Sequence, residues 1–127
     1  MFQLIFIAYV VFIIAASLVP EAGTSIVVYK DKIVHLAAYF VMGIFAWTAV
    51  TTMKRKLYLL FSSVLLGVVL ELVQEFVPGR SMDVADAAAN TAGVVLAYIV
   101  CRFCAEYVGW GTFPPVGKGE SPYGGTE

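Results

Sequence analysis

The sequence predicts an all-α, polytopic membrane protein with four transmembrane helices, and three observations carry that prediction. Of its 127 residues, 61% are hydrophobic and only 13% are charged, whereas soluble domains run near half apolar and a quarter charged. The mean hydropathy is +0.88. The apolar residues form four long stretches, each near the ~20 residues that a helix needs to cross a hydrocarbon core of roughly 30 Å. Helices satisfy their own backbone polar groups in lipid. The alternating pattern of barrel strands is absent from these continuous runs.

The first stretch runs from Phe2 to Val19 and ends at Pro20. Ala15-Ala16-Ser17 offers small residues for signal cleavage, but no basic residue precedes the run, and the run is longer than a usual signal core. It reads as a retained span. The second stretch covers about Ile33 to Met53, and the third about Leu57 to Val77, ended by Pro78 and Gly79. The fourth covers about Val84 to Tyr107. Residues 1–107 therefore form one transmembrane domain. The remainder, 108–127, is rich in Gly and Pro and has little to bury, so it reads as a disordered tail.

Cys101 and Cys104 form a C-x-x-C, but the chain has no further cysteine and one histidine. Zinc needs more ligands than that, and cysteines in an apolar helix behave as small hydrophobes. No cofactor is expected. The net charge of −1 and the lack of aromatic residues interleaved with basic ones speak against nucleic acid as a partner. Membrane lipids are the expected surroundings.

Orientation follows from Lys54, Arg55 and Lys56 between the second and third stretches, since short basic loops stay in the cytoplasm. Four spans then put both termini inside, with Arg102 and Lys118, and leave Lys30, Lys32 and Arg80 outside. The loops after the first and third stretches share the outer side. Two charged clusters, distant in sequence, can meet there.

Helical spacing sharpens that expectation. Asp31, His35 and Tyr39 lie four apart and share one face. Glu71, Gln74 and Glu75 share a face at the end of the third stretch. Asp83, Asp86 and Asn90 share one at the start of the fourth. Tyr39, Glu71 and Asn90 are expected in one polar layer below the surface. Ionisable groups at such depth face the bundle interior or a wet cavity. Asp83 also suits a helix N-cap, and Arg80 suits a pair with Glu75 or Asp86. Gly43, Gly67 and Gly93 suit close helix packing.

At these residues the chain resembles the VanZ-like family of small bacterial membrane proteins. The matching pieces are "SLVP", "DKIVHLAAYFVMG" and "ELVQEFVPGRSMDVADAAANTAG", covering Ser17 to Gly93. Ala97 stands where many relatives are expected to carry a second glycine, a difference of packing more than of chemistry. The resemblance implies a protein of the bacterial cytoplasmic membrane with a role in the cell envelope, in a family linked to resistance to the glycopeptide teicoplanin. It implies no defined reaction.

Three readings stay open. In the first, an outward-facing pocket of Asp31, Lys32, His35, Tyr39, Glu71, Gln74, Glu75, Arg80, Asp83, Asp86 and Asn90 binds an envelope lipid headgroup, a wall precursor or a glycopeptide. Lys32 and Arg80 would hold an anionic group. In the second, the same residues form a membrane-embedded enzyme, with His35 or a carboxylate as general base and a divalent cation as a variant. In the third, the polar set only locks the helices together.

Overall fold

The computed structural model describes residues 1–20 and 28–108, and each apolar stretch in it is a helix: α1 over Phe2–Ser17, α2 over Val28–Ala49, α3 over Met53–Gln74 and α4 over Val84–Phe103. A short π-helical turn, Cys104–Val108, extends α4. The expected tail beyond Val108 lies outside the described residues.

Three of the helices, Asp31–Ala49 of α2, Met53–Gln74 of α3 and Val84–Tyr107 of α4 with its extension, are long and apolar enough to cross a membrane. α1 is a shorter apolar helix of 16 residues, about 24 Å at 1.5 Å per residue. Phe2, Leu4, Ile7, Val11 and Phe12 on α1 are exposed on several sides, as suits contact with lipid. The chain is a multi-pass membrane protein.

Two helix starts differ from those of the apolar stretches for one physical reason. α2 starts at Val28, through Lys30 and Asp31, and α3 starts at Met53, through Lys54 to Lys56. Hydropathy marks what lipid tolerates, whereas a helix continues into the polar interface wherever its backbone bonds are made. α3 also ends earlier, at Gln74: Pro78 has no N–H to give the Gln74 carbonyl, which instead accepts from the Val77 N–H at 3.0 Å. The turn that follows pairs Arg80 N–H with the Val77 carbonyl at 3.1 Å. Gly79 has φ 81°. Pro78 then Gly79 at its centre is the sequence of a type II turn, whose third position needs positive φ.

The helices alternate in direction, so the bundle has two unlike ends. The start of α2, the end of α3 and the start of α4 meet at a polar end. The end of α1 joins them, since Gln74 Nε2 donates to the Ser17 carbonyl at 3.3 Å. The basic end gathers the start of α1, the end of α2, the start of α3 and the end of α4. α1 is tied at mid-length by the Tyr9 hydroxyl, which donates to the Ala38 carbonyl at 3.1 Å.

The core runs along α2 and α4. Met42, Ala46, Val94, Ala97 and Cys101 are buried there. Cys101 therefore packs as a small hydrophobe. Gly43 allows the approach: a β-carbon added there would lie 2.6 Å from Ala97 Cβ and 3.5 Å from Val94 Cα. Ala97 is tolerated because Gly43 faces it.

Candidate functional site

The three polar faces meet at the polar end. Lys32, one turn into α2, reaches α4: its Nζ donates to Asp83 Oδ2 at 2.6 Å and to Asp86 Oδ1 at 2.9 Å. Asp83 is also the N-cap of α4, as its Oδ1 accepts from Ala85 N–H at 2.8 Å. That bond satisfies one of the unpaired donors at a helix start. One carboxylate thus starts α4 and ties it to α2.

The Lys32 ammonium, and next the Ala85 N–H, hold the Asp83 carboxyl below its ordinary value. A group depressed in the folded state contributes fully at neutral pH and loses that contribution as pH falls through the folded value. Asp83→Asn is therefore expected to flatten the acid limb of thermal stability against pH, below about pH 4 where free carboxyls titrate. An acid limb that matches wild type would count against the pairing.

One turn deeper, His35 stands at the centre. Its Nδ1 lies 3.0 Å from Asn90 Oδ1 and 3.6 Å from Glu71 Oε1. Its Nε2 lies 3.6 Å from Asp31 Oδ1. Asn90 Oδ1 only accepts, so the Nδ1 N–H donates to it. Asp31 is at the rim, with half its side chain exposed, whereas Glu71 is 3% exposed. Glu71 Oε2 also accepts a long bond, 3.5 Å, from the Asp83 N–H.

The three residues expected in one polar layer lie close together in the bundle interior. Tyr39, Glu71 and Asn90 are all buried. A β-carbon on Gly67 of α3 would sit 2.9 Å from Tyr39 Cε1 and 3.1 Å from Asn90 Cβ, so a glycine lets the layer close. The Tyr39 hydroxyl is buried and has no hydrogen-bond partner among the described residues. It is the one member of this layer without one.

Three expected members take other roles. Gln74 is buried and ties α3 to α1 through Ser17. Glu75 is exposed and accepts the Met82 N–H at 2.9 Å, which fixes the turn. Arg80 does not pair with Glu75 or Asp86: its Nε donates to the Val19 carbonyl at 3.1 Å, joining the turn to the end of α1. The two acids are already taken, Glu75 by a backbone donor and Asp86 by Lys32.

The cluster as a whole holds four carboxylates, Asp31, Glu71, Asp83 and Asp86, against Lys32 and the imidazole of His35. Asp31, His35 and Asp86 each offer one ligand atom, and these atoms lie within 4.8 Å of one another. A divalent ion bound there would share Asp86 with the Lys32 ammonium. Sequence reasoning did not foresee that Lys32 would be held by two carboxylates of α4. The spacing shows which residues share a helix face, but not which faces of different helices are apposed.

No curated protein and no solved structure matches the chain. A family model described as VanZ/LLP1 matches residues 2–105, a span that takes in all four helices and every residue of the polar cluster. The chain belongs to the VanZ/LLP1 family.

Proposed function

We propose that this is a bacterial cytoplasmic-membrane protein whose polar end faces outward and binds an envelope molecule: a lipid headgroup, a wall precursor or a glycopeptide. The observation that supports it most is the surplus of carboxylate. Lys32 is committed to Asp83 and Asp86, while among the described residues Asp31 and Glu71 face only His35 and the Asp83 N–H. A surplus of acceptors selects a ligand that brings a cation or several donors. An amine on a sugar, peptide or headgroup meets that need better than the anionic group first expected from Lys32 and Arg80.

The test is mass spectrometry of envelope molecules that copurify with wild type, Asp31→Asn and Glu71→Gln. Both variants keep the size of the side chain and remove its charge. Retention of an amine-bearing molecule is expected to fall at least about tenfold, the loss of one charge-assisted hydrogen bond. Equal retention in all three proteins would overturn this reading and leave the cluster a structural lock.

One observation favours a second reading, an enzyme acting on an envelope lipid. His35 is oriented by Asn90, and its Nε2 lies on the side of half-exposed Asp31, at the rim of the cluster, where a histidine can act as a general base. Turnover of an envelope lipid that His35→Gln abolishes in folded protein would establish it.

A further inference from the structure

We propose that the basic end of the bundle, opposite the polar cluster, holds a phosphate-bearing anion between Lys56, the Trp47 indole N–H and the start of α3. Three independent observations point there. The first is Lys56. It lies in the first turn of α3, yet it is only 7% exposed, and its Nζ sits 4.1 Å from the Trp47 ring centroid. No carboxylate pairs with it among the described residues. A cation–π contact attracts an ammonium but leaves its charge in place. Buried charges ordinarily have a counter-charge.

The second is Trp47 itself. Its Nε1 is buried and has no hydrogen-bond partner among the described residues, although the ring is well held, edge to face with Tyr98 at 6.1 Å. A buried indole N–H normally finds an acceptor. Here an unused donor and an uncompensated cation stand side by side.

The third is the start of α3. Thr52 occupies the N-cap position but makes no side-chain bond, and the first turn holds no acid. Instead it carries Lys54, Arg55 and Lys56. A helix start is the positive end of its dipole and has unpaired N–H groups. Stacking three cations there is unfavourable for the isolated helix and favourable for an anion. The nearby acid at the end of α4, Glu106, is itself paired with Arg102 at 3.7 Å.

Phosphate answers all three. It accepts from an ammonium, an indole N–H and helix-start N–H groups at once, and its charge offsets the basic cluster. Basic sites between membrane helices near the interface bind the headgroups of acidic lipids in this way. A free phosphate has the same chemistry. The site is separate from the polar cluster and does not depend on its function.

The experiment has two arms. In the first, the protein is reconstituted in nanodiscs of phosphatidylcholine and phosphatidylglycerol, then released for native mass spectrometry. Wild type is expected to retain phosphatidylglycerol in preference to phosphatidylcholine. Lys56→Gln should lower that preference about fivefold, the effect of one basic residue near an anionic surface. Lys56→Arg should keep it. In the second arm, inorganic phosphate is titrated into lipid-free protein in detergent. Trp110→Phe leaves Trp47 as the sole indole, and its emission is read. A saturating shift that Lys56→Gln abolishes, without a lipid preference, assigns the site to free phosphate. No difference between wild type and Lys56→Gln in either arm overturns the proposal. Trp47→Phe keeps an aromatic face and removes the donor. Unchanged lipid preference in that variant, together with a phosphate titration that leaves Trp47 emission unshifted, overturns it even where Lys56→Gln does not fold.

Discussion

Gly93→Ala is expected to separate α2 from α4 and to lose both the core and the polar cluster. A β-carbon at Gly93 would run into the Leu36 carbonyl oxygen, and it would lie 2.9 Å from Phe40 N and 3.2 Å from Tyr39 C. These are backbone atoms of α2, so no side chain can turn away to make room. Overpacking of a well-filled interior costs about 1–3 kcal/mol, and a clash with backbone belongs at the upper end. The consequence reaches beyond stability. Leu36 and Tyr39 follow His35 by one and four residues on α2, and Asp86 and Asn90 precede Gly93 on α4. Moving the two helices apart therefore breaks Lys32–Asp86 and His35–Asn90 together. Thermal unfolding in detergent should show a large drop, with loss of bound envelope ligand at temperatures where the variant is still helical. Gly43→Ala is the comparison: its nearest obstacle is the Ala97 side chain, so Gly43→Ala combined with Ala97→Gly should recover much of the loss. Wild-type stability in Gly93→Ala would refute the close approach.

Lys32→Met is expected to have the largest effect of any charge change in the protein. Among the described residues it removes the only lysine or arginine paired within a group of four carboxylates. Asp83 is partly exposed and can be solvated, and it keeps the Ala85 N–H. Asp86 is buried and loses its ion-pair partner. A buried charge stripped of its partner is strongly destabilising, whereas removing both partners is close to neutral. Lys32→Met should therefore unfold at lower temperature than Asp83→Asn, and Asp86→Asn added to Lys32→Met should restore stability. A single variant no less stable than the double one at neutral pH would show that Lys32 does not hold the cluster together.

Much of the architecture was legible in the chain. The four helices follow from apolar length, because lipid admits few other ways to satisfy a backbone. The turn at Pro78-Gly79 follows from ring geometry and from the positive φ that glycine accepts. Asp31 with His35, and Asp86 with Asn90, follow from helical period. Even the depth of Tyr39, Glu71 and Asn90 could be estimated from the rise per residue. The helix ends at Val28, Met53 and Gln74 were less legible, since hydropathy does not register where a helix continues into the interface.

The site was legible as a place and not as a set of bonds. Arg80 looked like a ligand-binding cation beside acids, yet it donates to the Val19 carbonyl, because the end of α1 lies there. Lys56 looked like one of three loop charges that set orientation. It is buried against Trp47 instead, and only the approach of α2 to α3 puts that ring above it. The unpartnered hydroxyl of Tyr39 and indole of Trp47 carry no signal in the sequence at all.

By itself the sequence determined the class of solvent, the number of helices, the turn and the end of the bundle where polar residues gather. Each of these depends on local composition and on the period of a single helix. Tertiary structure alone decided that Lys32 bridges to Asp83 and Asp86, that His35 lies between Asn90 and Asp31, and that Gly43, Gly67 and Gly93 set the spacing of the layers. Those outcomes depend on how faces of different helices rotate against each other, and that is settled by packing over the whole bundle.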